Sequence, residues 1–406
     1  MQPRQQRSSE LGTGNDPVLR VMKWVAVLCV SFLVVAYVVT TPLQDFVEYW
    51  TSAHQIVAGR NPYSLLELFQ LQLRLGWQEA VPLMNLTPPW ALPLIAPIGF
   101  AKSYAIAWLA WVTVLVLALW WSTRLLLDLY SGGRSIFPSE PRNREPLIAF
   151  TFYPAVWCLR FAQITPLVLA GVAGFLWFEC RNRHVRAGMC LAMATIKPHL
   201  LYLVWLAMLF RLFRKRDWVA ATSLASVLVL FTSMAILMRR TVLQDYGTLL
   251  RSGYTHLFPS ALGAIVRYRF AKVDTFPLQF VAPLAGTIWF VCYWRRRRDD
   301  WQWKENMPLL VTISLLTTAY GWTFDQVLLL VPIVAVAARC AMAGEKLPRK
   351  LMILYTSMNI ALFLLFSFWK DVAFAAAPLA IMAVLLKFTP HESRVRLAPV
   401  YGGSEP

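Results

Sequence analysis

The sequence predicts an all-α polytopic membrane protein, and three observations carry that reading. Hydrophobic residues make up 58% of the 406-residue chain and charged residues only 15%, where an ordinary soluble domain carries roughly 25% charged residues. Several apolar runs reach the roughly 20 residues that a bilayer-spanning helix needs, and helices satisfy every backbone group within lipid. No polar stretch exceeds about 45 residues, short of the roughly 50 at which separate soluble domains begin. The net charge of +18 suits a multi-pass protein whose arginines sit in loops and set topology, so nucleic acid is not expected as a partner.

Taken in chain order, the first apolar run is 22–41, too long for a signal-peptide core and read as an uncleaved anchor helix. Arg4, Arg7, Arg20 and Lys23 lie at its start, which assigns the tail 1–21 to the cytoplasm. Residues 42–85 then form the first outer loop. The segment LTPPWALPLIAPIGF, residues 86–100, is short for a crossing and rich in proline, so a re-entrant or kinked piece is expected. Spans follow at 104–124, 146–161 and 164–180, with Arg134, Arg142 and Arg144 in the inner loop after the first of them. Residues 187–213 carry basic flanks on both sides, RNRHVR and RLFRKRDW. One crossing would put one flank outside; two short helices meeting at Lys197-Pro198-His199 keep both inside.

Further spans are expected at 218–238, 276–294, 307–321, 326–341, 351–369 and 372–387. The total is about 10–13 helices at ordinary bilayer thickness, some short, broken or re-entrant. One membrane domain, 22–387, is thus followed by a cytoplasmic tail, 388–406. No internal repeat is visible. Residues 239–275 break the charge rule: an outer loop should not hold Arg239, Arg240, Arg251, Arg267, Arg269 and Lys272. They are read either as an anion site or as solvated and headgroup contacts. Cys29, Cys158, Cys180, Cys190, Cys292 and Cys340 lie in or beside apolar runs without paired spacing, so neither a disulfide framework nor a metal site is expected.

Ionisable residues at membrane depth are costly and mark functional sites. Asp45 follows the first helix, and Glu48 shares its face if the helix continues; the plain alternative is that Asp45 ends that helix among headgroups. Lys197 and His199 stand at the predicted break, either as a snorkelling lysine beside a turn or as cations receiving a phosphate. Gln163, in RFAQITPLV beside Arg160, lies between two close spans, where ordinary turn chemistry is the alternative. Asp325, in YGWTFDQ, sits at another outer turn. All four positions fall on the predicted outer side. The sequon Asn85-Leu86-Thr87 is followed by two prolines and carries no weight.

Asp45-Phe46, Tyr49-Trp50 and Gly59-x-Asn61-Pro62-Tyr63, the proline-rich 86–100, Ala162-Gln163 in AQITPLVLAGVAGFL, and RAGMCLAMATIKPHLLYLVWL with Lys197-Pro198 occur in that order. Over residues 22 to about 340 the chain resembles glycosyltransferase family 87. It departs at Ala162, where the family usually has glycine. The resemblance implies a GT-C-type fold with its active site on the non-cytoplasmic face. It also implies transfer of a hexose, typically mannose, from a polyprenyl-phosphate donor to a lipid or glycan acceptor.

Asp45 matches the family's catalytic acidic position, with Glu48 as second choice. A phosphate leaves as a stable anion, so one general base suffices and inversion follows. Lys197, His199, Arg251 and Arg267 are the candidate donor-phosphate ligands. Tyr49, Asn61, Tyr63, Gln163 and Asp325 are the candidate substrate contacts. No metal or cofactor is expected; the partners are the lipid-linked donor, the acceptor and membrane lipids. The competing classes are a transporter or flippase of lipid-linked sugars and a non-catalytic envelope-assembly subunit.

Overall fold

The computed structural model describes residues 45–136, 142–215, 218–252, 261–269, 275–342, 349–368 and 373–388. The expected helix 22–41, Lys272 and, but for residue 388, both expected tails lie outside them. The described residues form helices and no strand, the all-α polytopic class that the composition predicts.

Residues expected as a plain outer loop, 42–85, begin with a helical hairpin instead. Helix α1 (Phe46–Val57) is buried on nearly every side, and α2 (Leu65–Arg74) follows after a turn at Gly59–Ser64. Gly59 takes a left-handed φ of 69° there, and the Asn61 side chain accepts from the Tyr63 N–H at 2.9 Å, closing an Asx turn. Ser64 caps α2 by accepting from the Glu67 N–H. The proline-rich segment forms a tight turn, Pro89–Ala91, and then α3 (Leu92–Gly99). Its 8 residues span only about 12 Å at 1.5 Å each, far short of a crossing.

Helix α4 (Tyr104–Ser131) is the longest, capped by Ser103 and ended by Gly132 in the left-handed conformation. A 3₁₀ stretch (Arg142–Thr151), α5 (Tyr153–Arg160) and α6 (Thr165–Glu179) come next. Helices α7 (His184–Ala194) and α8 (Tyr202–Lys215) are separated by the break expected at Lys197-Pro198. Lys197 has φ −128° and ψ 70°, outside the helical region because the ring of the following proline excludes it. Then come α9 (Trp218–Met238), two short helices α10 (Val242–Arg251) and α11 (Leu262–Arg269), and α12 (Val281–Arg297). Helix α13 (Trp303–Thr317), a 3₁₀ segment (Thr323–Leu329) running into α14 (Leu330–Met342), α15 (Arg349–Phe368) and α16 (Ala373–Phe388) complete the order.

Among the described residues, four helical stretches are long and apolar enough to cross a membrane: Tyr104–Ser131, Trp218–Met238, Phe276–Arg297 and Thr323–Met342. Shorter apolar helices include Pro89–Gly99, Thr165–Glu179 and Leu351–Leu365. Residues of α9 and α12 such as Val229, Leu237, Leu284 and Ile288 are exposed, as lipid-facing side chains are. Helix α6 and Thr323–Met342 are buried almost all round and form the centre of the bundle. The polar ends of these two central helices are where the candidate site lies.

Two cations of the anomalous 239–275 stretch are used inside the fold. Arg239 pairs with Asp245 and donates to the Gly59 carbonyl at 3.2 Å. Buried Arg267 donates to Gln279 Oε1 at 2.9 Å and lies over the Phe276 ring. They join α10 and α11 to the rest of the bundle, a third role beside the two weighed from sequence.

Helix packing relies on small residues, as is usual where lipid supplies no hydrophobic drive between helices. A Cβ at Gly188 would collide with the Ala220 carbonyl oxygen, whereas one at Gly247 would meet nothing within 4 Å. Gly188→Ala is therefore expected to destabilise the purified protein by about 1–3 kcal/mol. Gly247→Ala, within α10, should hold or raise the thermal unfolding midpoint. Equal midpoints for the two variants would show that α7 and α9 do not approach as described.

Candidate active site

Four chain segments meet at one end of the bundle, and each supplies one or two polar side chains because its helix starts or breaks there. Asp45 and Tyr49 come from the head of α1. Gln163 and Thr165 come from the α5–α6 turn, where Ala162 adopts φ 51°, a left-handed conformation that disfavours any residue with a Cβ. That geometry explains physically why glycine would suit this position. The Trp111 indole holds the turn by donating to the Ala162 carbonyl at 2.9 Å. Lys197 comes from the α7–α8 break, and Asp325 from the first turn of Thr323–Leu329.

These side chains form one continuous hydrogen-bonded chain. Gln163 Nε2 donates to Asp45 Oδ2 at 2.7 Å. Gln163 Oε1 accepts from the Tyr49 hydroxyl at 2.8 Å and from Lys197 Nζ at 3.1 Å. Lys197 Nζ also donates to Asp325 Oδ1 at 2.8 Å, in an ion pair whose aspartate is 0% exposed. Asp325 Oδ1 accepts a further bond from Thr165 Oγ1 at 2.7 Å, and its Oδ2 accepts from the Trp322 N–H at 3.1 Å. The Lys197 ammonium faces the Phe324 ring at 5.0 Å.

The electrostatics divide the carboxylates. Asp325 lies in the interior with every oxygen engaged, while Asp45 and Glu48 are only half-buried. Desolvation pushes the Asp45 carboxyl up to about 6, against the lowering effects of the Gln163 hydrogen bond and the Lys197 charge. Burial, and then the neighbouring Asp45, hold Glu48 well above the usual carboxylate range. A proton acceptor that titrates near neutrality suits general-base work. His199 is lowered to about 4, mainly by burial, so the ring is neutral at physiological pH. Its Nε2 is buried and has no partner among the described residues, and the ring meets Tyr320 edge to face.

The remaining sequence candidates stand differently. Asn61 and Tyr63 shape the turn after α1: the Tyr63 hydroxyl donates to the Thr87 carbonyl at 2.9 Å and its ring lies against Tyr246. Arg251 is exposed at the end of α10. Arg267 is buried against Gln279, which donates in turn to the Ala319 carbonyl. Asn85 of the sequon is fully buried and accepts from Thr87, so the glycan acceptor motif is closed off. Thr165 and the Trp322 N–H were not singled out from sequence. A threonine directly before the helix-initiating Pro166 is the one signal that could have pointed to the first. Among the described residues no three His, Cys, Asp or Glu side chains stand together to hold a metal ion.

A family model described as glycosyltransferase family 87 matches residues 85–368. The chain belongs to glycosyltransferase family 87. No curated protein and no solved structure matches it. The match covers Gln163, Lys197 and Asp325 and begins beyond Asp45, Glu48 and Tyr49. Membership makes the protein a membrane glycosyltransferase, whose sugar donor, acceptor and lipid surroundings are its partners.

The buried pair of this glycosyltransferase makes a stability prediction. Lys197→Met leaves the Asp325 carboxylate buried without its cation and should cost about 3–5 kcal/mol. Replacing both, Lys197→Met with Asp325→Leu, should recover most of that loss. Thermal unfolding of the purified variants checks it; a double variant no more stable than the single one would contradict the pairing.

Proposed function

We propose that this family 87 protein transfers a hexose, mannose by resemblance, from a polyprenyl-phosphate donor to a lipid or glycan acceptor at the outer face of the membrane. The observation that carries this reading is the convergence of Gln163, Lys197, Asp325 and Tyr49 on the half-buried Asp45. One open carboxylate, backed by a buried polar cluster, is the equipment of a general base rather than of a transport path. A path would call for charges along the bundle axis.

The acceptor hydroxyl gives its proton to Asp45 as its oxygen attacks the anomeric carbon. The bond from that carbon to the donor phosphate breaks, and the electron pair leaves on the phosphate oxygen. No general acid is required for such a leaving group, which distinguishes the reaction from glycoside hydrolysis with its two carboxylates. His199 offers its unpartnered ring nitrogen to the departing phosphate, and Lys197 adds a positive field from within. Beside a low-dielectric bilayer both effects exceed their strength in water. The basic segments at the opposite ends of the helices, Arg181–Arg186 and Arg295–Arg298, support the assignment of the Asp45 end as the outer one.

Transfer of radiolabelled sugar from polyprenyl-phosphate-mannose in membranes tests the reading. Asp45→Asn should lower the rate by about 10²–10⁴-fold at unchanged protein level. In the wild type the rate should rise with pH through about 6, because the base works deprotonated and burial raises its carboxyl to that value. A variant with wild-type rates, or a flat acid limb, would remove Asp45 as the base. Movement of the lipid-linked sugar across the bilayer without glycosidic bond formation would favour a transporter.

A further inference from the structure

Asp325 is the most deeply buried carboxylate of the cluster, and its bonds leave no room for a sugar hydroxyl. It is 0% exposed, and its two oxygens accept from Lys197, Thr165 and the Trp322 backbone. Lys197 is likewise committed, to Asp325, to Gln163 and to the face of Phe324.

The consequence falls on Gln163. An amide side chain can be turned about so that its oxygen and nitrogen exchange places. Here only one orientation works. An ammonium can only donate, so Lys197 requires the amide oxygen to face it. The Tyr49 hydroxyl bonds that same oxygen. The amide N–H₂ is thereby directed at Asp45 Oδ2. Turned the other way, Gln163 would set N–H against ammonium and carbonyl against carboxylate. No side chain among the described residues donates to the other oxygen of Asp45, Oδ1, and it belongs to one of the two half-buried carboxylates here.

We propose that Asp325 is a positioning residue for sugar transfer, fixing Lys197 and through it the Gln163 amide, so that Asp45 Oδ2 is held and Oδ1 is left open to take the acceptor's proton. This rests on the reading of Asp45 as the base. It reassigns Asp325 and Gln163 from touching substrate to orienting the group that does. The acceptor proton passes to Oδ1, the acceptor oxygen bonds the anomeric carbon, and the phosphate departs with the bonding pair.

The test measures kcat and the donor KM of the purified full-length protein across the acid limb. Polyprenyl-phosphate-mannose is the donor probe, and the variants are Asp325→Asn, Gln163→Glu and Asp45→Asn, with rates normalised to folded protein. Loss of orientation at a reacting group lowers rates by up to about 10²-fold. Asp325→Asn should therefore lower plateau kcat by about 10- to 10²-fold while KM stays within about twofold. Gln163→Glu still accepts from Tyr49 and Lys197 but cannot donate to Asp45. Its acid limb should shift up by about one pH unit or more, since Asp45 loses a hydrogen bond and gains a like-charged neighbour.

A raised donor KM with unchanged kcat in Asp325→Asn would overturn the proposal in favour of substrate binding. Unchanged kcat and KM per folded molecule would overturn it in favour of a purely structural pair. Should Asp325→Asn fail to accumulate, Gln163→Glu decides alone: an unmoved acid limb refutes the chain. Wild-type rates in Asp45→Asn would instead refute the underlying reading of the base.

Discussion

The buried Lys197–Asp325 ion pair is the constraint from which the rest of this end of the protein follows. Taking both charges out of water costs several kcal/mol per ion, and their attraction repays that only when the leftover lone pairs and protons are satisfied. The fold meets the requirement with four groups. Thr165 and the Trp322 N–H complete Asp325, while Gln163 and the Phe324 face complete Lys197. Thr165 and Gln163 come from the α5–α6 turn, and the Trp322 N–H and Phe324 from the start of Thr323–Leu329. The pair therefore ties the α5–α6 turn, the α7–α8 break and the 3₁₀ segment before α14 into one rigid corner. Asp45 meets that corner through a single amide, the Gln163 Nε2 bonded to its Oδ2.

Irregular backbone at membrane depth survives only where protein covers it, and this explains why the breaks sit where they do. The unbroken helices α4, α9 and α12 lie toward the lipid side, with exposed residues such as Ile106, Leu117, Val229 and Ile288. The interrupted ones surround the core. Proline stands at three of the breaks: Pro166 begins α6, Pro198 follows Lys197, and Pro88 and Pro89 precede α3, whereas the start of Thr323–Leu329 has none. The breaks at Pro166 and Pro198 and the start of Thr323–Leu329 supply the cluster's Gln163, Thr165, Lys197 and Asp325. A site needing several convergent polar groups beside a bilayer is in this way assembled from the places where helices fail to continue.

Much of this was legible from sequence because burial in lipid makes charge conspicuous. Asp45, Lys197 and Asp325 stood out as ionisable residues near apolar runs, and basic flanks on both sides of 187–213 demanded a break that Pro198 supplies. The short helices α2, α10 and α11 were not legible. Helix α2 buries only Leu68 and Gln72, so its composition reads as a loop. The partners of Arg239 and Arg267 were hidden for another reason: Asp245 and Gln279 reach them through turns that no periodicity signals. Ala162 is instructive in a third way. Its departure from the usual glycine was visible, yet only the left-handed φ shows what the glycine would be for.

The proposed reaction requires Asp45 to act as a base in a single displacement, with Gln163, Lys197 and Asp325 held behind it. The anomeric configuration of the product, compared by NMR with that of a polyprenyl-phosphate sugar of known configuration, tests this most directly. Inversion at the anomeric carbon is the predicted result. Retention would contradict the account, because it requires a covalent glycosyl intermediate and a nucleophile where a base has been placed.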